Sequence, residues 1–184
     1  MATEALNTTP LGSPAPNFSL PDVVTGNTVS LSSLPPSKAL LVIFLCRHCP
    51  YVVHVLDEIL RLAKDYQPRD TRVVAISSND AVTYPDDAPE KLREMALKYH
   101  FPFPLLFDDS QAVARAFDAK CTPDFFLFDS RRRLAYRGRL DESTPGNRLP
   151  VTGSEMRNAL DAVLAGLSAP AAQKPSLGCS IKWK

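Results

Sequence analysis

A layered α/β domain, with a central mixed sheet flanked by helices, is the fold class this sequence predicts. Three observations carry it. Residues 40–45 form an unbroken apolar run, as a strand covered on both faces requires. Strand-like and helix-like patterns then alternate along most of the chain. Finally, 124–128 and 134–139 read as two strands joined by the short basic turn at 130–133, a connection that makes them antiparallel.

The elements follow in order. Residues 1–16 are small, polar and proline-punctuated, and read as a flexible arm ahead of a domain at 17–167. Residues 17–20 and 27–29 flank the turn signal Thr25-Gly26-Asn27, which predicts a short hairpin. From Pro50, Val52, Val55, Leu56, Ile59, Ala63 and Tyr66 recur at helical spacing, and Pro50 suits the first turn, where a missing N–H costs nothing. Residues 72–77 form another central strand. Asp87, with Glu90 three residues on, reads as the cap of a helix carrying Leu92, Met95 and Tyr99 inward. A brief strand follows at 105–107, then a short helix capped by Asp109 or Ser110. Thr152-Gly153-Ser154-Glu155 reads as a capping box for a helix that Gly166 ends. The tail, 168–184, is small and proline-bearing and closes on Gly178-Cys179-Ser180-Ile181-Lys182-Trp183-Lys184.

Composition narrows the function. A length of 184 residues with 45% hydrophobic content supports one domain with a full core. A formal charge of +1 gives no electrostatic case for nucleic acid or an acidic membrane as partner, and no apolar run has the length of a membrane span. Residues 1–16 lack the basic and apolar regions of a secretory signal, so the expected compartment is the cytoplasm. Four cysteines are too few for a disulfide scaffold of this size; in a reducing compartment such cysteines point to redox or metal chemistry.

Cys46-Arg47-His48-Cys49 is the motif that carries chemistry. It lies where the apolar strand gives way to the helix at Pro50, beside unpaired backbone N–H groups and the positive end of a helix dipole. That setting favours a thiolate, the species that attacks in disulfide exchange, and a second cysteine three positions on can release the product. Arg47 and His48 add positive charge next to Cys46, so its pKa is expected to fall below the ordinary thiol value. A stabilised thiolate makes the oxidised pair a stronger oxidant. The same CxxC is also half of a metal site, although zinc normally needs four ligands, and Cys121 and Cys179 stand single and distant.

The CxxC after the 40–45 strand, with Cys121-Thr122-Pro123 leading into 124–128, resembles the thioredoxin-like superfamily, in the branch of peroxiredoxin-like and TlpA-like proteins. The resemblance runs from Phe18 to Lys184. It implies a thioredoxin-like fold with an N-terminal hairpin and an inserted helix between the CxxC and the Thr122-Pro123 segment. The function it implies is that of a thiol-disulfide oxidoreductase with Cys46 as nucleophile, Cys49 as resolving cysteine and His48 holding the thiolate. It also implies a cis Pro123 facing the dithiol, with Thr122 and Pro123 offering backbone groups to an extended substrate. Substrates would be protein or small-molecule disulfides, the reductant a thioredoxin or another dithiol, and no cofactor or metal is needed. Cys121 and Cys179 are additional redox candidates, or inert. Thiol peroxidase is the alternative, and a metal-binding protein a third. Against a peroxidase, Ala39 and Ile43 stand where peroxiredoxins place a proline and a hydroxyl ahead of the peroxidatic cysteine. The apolar strand also lacks the acid that thioredoxins bury under the dithiol; Asp57, Glu58 and His54 are the substitutes nearest in sequence.

Overall fold

In a computed structural model, residues 2–6 and 8–184 are described. The strand β4 (Ala39–Phe44) is the centre of the molecule, and all six of its residues are at most 1% exposed. Burying each large aliphatic or aromatic side chain there contributes about 1.5–3 kcal/mol of transfer free energy, so the unbroken apolar run is needed. Leu41 and Ile43 enter one core cluster, with α1 (Pro50–Tyr66), α2 (Pro89–Lys98) and α4 (Ser154–Leu164). Leu40, Val42 and Phe44 enter the other, with α3 (Ala112–Phe117) and the hairpin of β2 (Ser19–Pro21) and β3 (Thr28–Ser30). Alternation of side chains along one strand thus supplies both layers.

Among the described residues the main sheet has five strands in the order β6-β5-β4-β8-β9. Here β5 is Thr71–Ser77, β6 Leu105–Phe107, β8 Asp124–Phe128 and β9 Leu134–Gly138. The pairs β4–β5 and β5–β6 are parallel; β4–β8 and β8–β9 are antiparallel. The sheet is mixed and flanked by helices, with α2 between β5 and β6 as the inserted helix, and the 25–27 turn closes an antiparallel hairpin.

The ends of the chain depart from the sequence reading. Where a flexible arm and a plain tail are expected, β1 (Ala2–Glu4), β10 (Leu177–Ser180) and β7 (Cys121–Thr122) form a small antiparallel sheet in the order β1-β10-β7. Ile181 is buried in the α3-side core. No local pattern betrays this, because β10 finds both its partners in distant segments of the chain, β1 at the other end and β7 more than fifty residues back, and short paired strands need no periodicity of their own.

The helix caps also differ. Asp87 does not cap α2, whose cap position is Ala88; its carboxylate turns inward instead. At α4 the cap is Gly153, and Asp141 Oδ2 accepts from the N–H groups of Thr152 and Gly153 at 2.7 and 2.6 Å. Short α3 begins after Gln111; Ser110 Oγ accepts from Ala112 N at 3.3 Å and Asp108 Oδ2 from Ala114 N at 2.9 Å, while Asp109 pairs with Lys184 instead. At α3 and just before α4 a carboxylate outside the expected cap position, Asp108 or Asp141, shares the work of the local signature, and at α2 no side chain does.

Glu58 shows what the sheet-facing side of α1 demands. It is 3% exposed and accepts from Arg157 Nε at 2.8 Å and Arg61 Nη1 at 2.8 Å, tying α1 to α4. A charge this buried is retained only with such partners. Glu58→Ala is expected to cost about 1–3 kcal/mol, partly relieved by the remaining Arg157–Asp65 contact, and to appear as a lowered urea midpoint.

Candidate active site

The chain leaves β4 at Leu45 and turns through Cys46-Arg47-His48-Cys49 into α1, with Cys49 as the helix cap residue. The four-residue turn is held by Asp87, which is fully buried. Its Oδ1 accepts from Arg47 N at 2.8 Å and His48 N at 3.4 Å, and its Oδ2 from Asn79 Nδ2 at 2.7 Å. His48 Nδ1 lies 2.6 Å from Asp87 Oδ2, in ion-pair contact but outside aligned hydrogen-bond geometry, and its ring stacks on Tyr84. Arg47 Nη1 pairs with the exposed Asp86 at 3.0 Å, a solvated contact worth little. Asp87 is therefore the buried acid absent from β4. Sequence reasoning missed it because an Asp two residues before Pro89 and three before Glu90 looks like a helix cap. Of the substitutes considered, Asp57 is exposed, Glu58 is bound by arginines, and His54 Nε2 meets Ser143 Oγ at 2.7 Å.

Facing the dithiol is the β7–β8 junction, where the Thr122–Pro123 peptide bond is cis. Thr122 touches both sulfurs: its hydroxyl lies 3.3 Å from Cys46 Sγ, and its carbonyl accepts from Cys49 Sγ at 3.1 Å. Both thiols are sealed, Cys46 at 1% and Cys49 at 0% exposure. The chain's own β10 occupies the edge expected to receive an extended substrate: Cys179 pairs with Thr122 and Ser180 with Cys121. At this crossing the chains are so close that a Cβ on Gly178 would stand 2.0 Å from Thr122 O.

The structure relocates the favoured thiolate. Because the helix starts at Pro50, its terminal N–H groups serve Cys49 rather than Cys46. Hydrogen bonding from the Cys46 thiol, then from the Cys179 thiol and Val52 N–H, brings Cys49 down to about 5 against the cost of burial. Cys46 is pushed up, first by its hydrogen bond to Cys49, then by burial and by the Asp87 charge. The Thr122 carbonyl makes an acceptor for Cys49 when that sulfur is protonated, so one proton shared by the pair has a partner in either position. His48 reaches the dithiol through Asp87 and the turn rather than by pairing with Cys46. Cys121 is fully buried, contacts Pro123 O at 3.6 Å, and is held neutral chiefly by burial and secondarily by Asp124. Cys179 is half-buried, hydrogen-bonded to Cys49, and raised to about 11 by burial and by that bond.

Cys46 Sγ, a ring nitrogen of His48 and a carboxylate oxygen of Asp87 lie within 4.8 Å of one another, close enough to share a zinc-like ion. Both Asp87 oxygens are already engaged by the turn and Asn79, so an ion here would displace the hydrogen bonds that shape the CxxC. Among the described residues, no helix is long and apolar enough to cross a membrane.

A dithiol at the head of α1, opposed by a cis-proline loop on a mixed five-stranded sheet, defines a protein of the thioredoxin-like redoxin superfamily. Residues 11–137 match the AhpC/TSA family, and the chain belongs to that family. It is thus a thiol enzyme of the oxidoreductase or peroxidase kind. Two solved structures are similar over essentially the whole chain. One is an uncharacterized conserved protein from Geobacillus kaustophilus, at 50% identity and TM-score 0.97, covering 100% of this chain and 97% of that one. The other is a hypothetical protein from Sinorhizobium meliloti 1021, at 44% identity and TM-score 0.96, covering 99% and 98%. The fold also matches a thioredoxin-family thiol:disulfide interchange protein from Chlorobium tepidum TLS, at 18% identity and TM-score 0.65, covering 85% and 99%. No curated protein matches the sequence.

Two outcomes follow from this geometry. Thiolate absorbance at 240 nm in the reduced protein should titrate near pH 5 and lose that transition in Cys49→Ser. Since the folded pKa of Cys49 lies below its unfolded value of roughly 8.5, the thiolate stabilises the fold fully above that value. That contribution is lost as pH falls through about 5. Gly178→Ala should lift β10 from Thr122 and speed iodoacetamide labelling of Cys46 and Cys49 by about tenfold or more, the factor that ~1.4 kcal/mol of local destabilisation produces.

Proposed function

We propose that the protein is a thiol-disulfide oxidoreductase whose reacting pair is Cys46 and Cys49. The observation that carries this reading is the double contact of Thr122 with the two sulfurs, hydroxyl to Cys46 and carbonyl to Cys49. In the reduced protein the pair shares one proton. As Cys46 attacks a substrate disulfide, its proton passes to Cys49, whose sulfur already faces the Thr122 carbonyl; the Thr122 hydroxyl donates to the Cys46 thiolate. One substrate sulfur leaves as a thiolate and is protonated. Cys49 then gives up its proton and attacks Cys46 Sγ, forming the Cys46–Cys49 disulfide and releasing the second substrate sulfur. A protein or small-molecule disulfide accounts for the electrons, and a thioredoxin or other dithiol resets the pair; no cofactor enters. Because both sulfurs are sealed, a substrate reaches Cys46 only when β10 parts from β7, after which Thr122 and Pro123 are free to pair with it.

Thiol peroxidase remains the second reading, and two observations favour it. A sealed dithiol admits a molecule the size of peroxide more readily than a polypeptide, and the Thr122 hydroxyl supplies from another strand the polar group that Ile43 lacks. Fully reduced protein mixed in stopped flow with hydrogen peroxide or with a disulfide-bonded protein separates the two. Faster oxidation by the disulfide is expected, and much faster oxidation by peroxide would reverse the ranking. Cys46→Ser should abolish exchange with a disulfide-bonded protein, whereas Cys49→Ser should accumulate mixed disulfides on Cys46; loss of activity without a trapped adduct would count against the assigned roles.

A further inference from the structure

We propose that Cys179 is a third redox thiol, which takes Cys49 out of the Cys46–Cys49 disulfide and brings the oxidised state to the surface. This rests on the dithiol chemistry proposed above. Of the four cysteines, Cys46, Cys49 and Cys121 are buried, and Cys179 alone is partly exposed, packing against the core cluster that holds the dithiol and hydrogen-bonding Cys49. Its placement is built into the fold. Cys179 is in register with Thr122, the residue whose carbonyl meets Cys49, and Gly178 removes the side chain that would hold β10 away. The segment is pinned on both sides: Ala2 pairs with Cys179, and Ile181 N donates to Lys120 O at 3.1 Å. Beyond it, Lys182 N donates to Asn79 Oδ1 at 2.9 Å, and the amide of that same Asn79 donates to Asp87. The tail and the CxxC turn thus share one polar chain, and the Cys49–Cys179 contact is set by structure on both sides.

The exchange balances without an added oxidant. Once a disulfide substrate has left Cys46–Cys49 oxidised, the Cys179 thiolate attacks Cys49 Sγ. The Cys49–Cys179 bond forms, the Cys46–Cys49 bond breaks, and Cys46 departs with the electron pair and takes up the proton that Cys179 released. No electrons are gained or lost; the disulfide has moved outward. Attack falls on Cys49 because its sulfur is the one in contact. In the reduced protein the hydrogen bond to Cys49 helps keep the Cys179 proton in place, and oxidation of Cys49 removes that acceptor. A dithiol partner then attacks Cys179 Sγ from solvent and expels Cys49, a good leaving group because its thiolate is stabilised. The partner's second thiol attacks the partner's own sulfur in the mixed disulfide, which frees Cys179 and leaves the partner oxidised. The buried pair can therefore be reduced without lifting β10.

The test is disulfide mapping of the full chain. Reduced protein is oxidised with hydroxyethyl disulfide, quenched in acid, blocked with N-ethylmaleimide and digested without reductant. Trypsin cuts after Arg47, so Cys46 and Cys49 fall on separate peptides and each linkage has its own mass. Wild type is expected to show both Cys46–Cys49 and Cys49–Cys179, and Cys46→Ser to show Cys49–Cys179 as its main species. A wild type that forms Cys46–Cys49 with no Cys49–Cys179, together with a Cys46→Ser protein that yields only mixed disulfides, overturns the relay and leaves the oxidoreductase reading standing. Absence of Cys46–Cys49 from wild type sinks both. As a second arm, Cys179→Ser carrying the preformed Cys46–Cys49 disulfide should be reduced by thioredoxin about tenfold or more slowly than wild type, with a much smaller difference for a small phosphine. Equal thioredoxin rates would overturn the relay.

Discussion

The buried carboxylate of Asp87 is the group on which the site's geometry rests. A charge with no exposure persists only if hydrogen bonds replace its lost hydration, and here they come from Arg47 N, His48 N and the Asn79 amide, with the His48 ring beside them. Those donors are the backbone of the CxxC turn and the anchor of the tail. Satisfying one carboxylate therefore fixes where the turn leaves β4, where α1 begins, and where the strand after Ser176 is tied. The negative charge has a chemical consequence as well. It raises the nearby Cys46 thiol, so that within the pair the charge rests more easily on Cys49 at the helix terminus.

Thr122 is the counterpart on the opposite side. One residue presents a hydroxyl to the first sulfur and a carbonyl to the second, and on its remaining side it pairs with Cys179. The edge on which a thioredoxin-like protein would receive an extended chain is occupied by its own tail. Closure of this kind keeps a reactive thiolate away from solvent, and makes access a matter of local opening at the cost of a few strand contacts rather than of global unfolding. The half-buried Cys179 is what makes the closed form more than a barrier, since it joins the dithiol to the surface.

Charged groups away from the site follow the same economy. Glu58 ties α1 to α4 through Arg157, and Asp141 holds the start of α4 by its N–H groups. Both are buried acids; Glu58 draws Arg157 from another helix, and Asp141 takes its N–H groups from the loop just ahead of α4. The capping patterns near Asp87 and at 152–155 predicted helices in the right places; Asp87 holds the CxxC turn instead of capping α2, while Thr152 Oγ1 accepts from Ser154 N at 3.3 Å from one residue ahead of the cap position. A cap motif reports that a helix begins nearby; which oxygen meets its N–H groups depends on what the fold brings alongside.

By itself the sequence determined the layered α/β class, the hairpin, the central strand and the helix that starts at Pro50, because hydrophobic periodicity and proline placement act over a few residues and are written locally. The CxxC at the strand-to-helix junction marked Cys46 and Cys49, and the resemblance to the thioredoxin-like superfamily marked Thr122 and Pro123. What only the tertiary structure decided was the environment of those residues. The buried acid is Asp87, forty residues from the dithiol. The favoured thiolate is Cys49, because the Cys46 thiol donates to it, with the Cys179 thiol and the Val52 N–H adding to that bond. The tail is a strand on β7 that carries Cys179 to Cys49. Each of these depends on burial and on contacts between segments far apart in the chain, and burial is what turns an ordinary carboxylate or thiol into a strongly perturbed one.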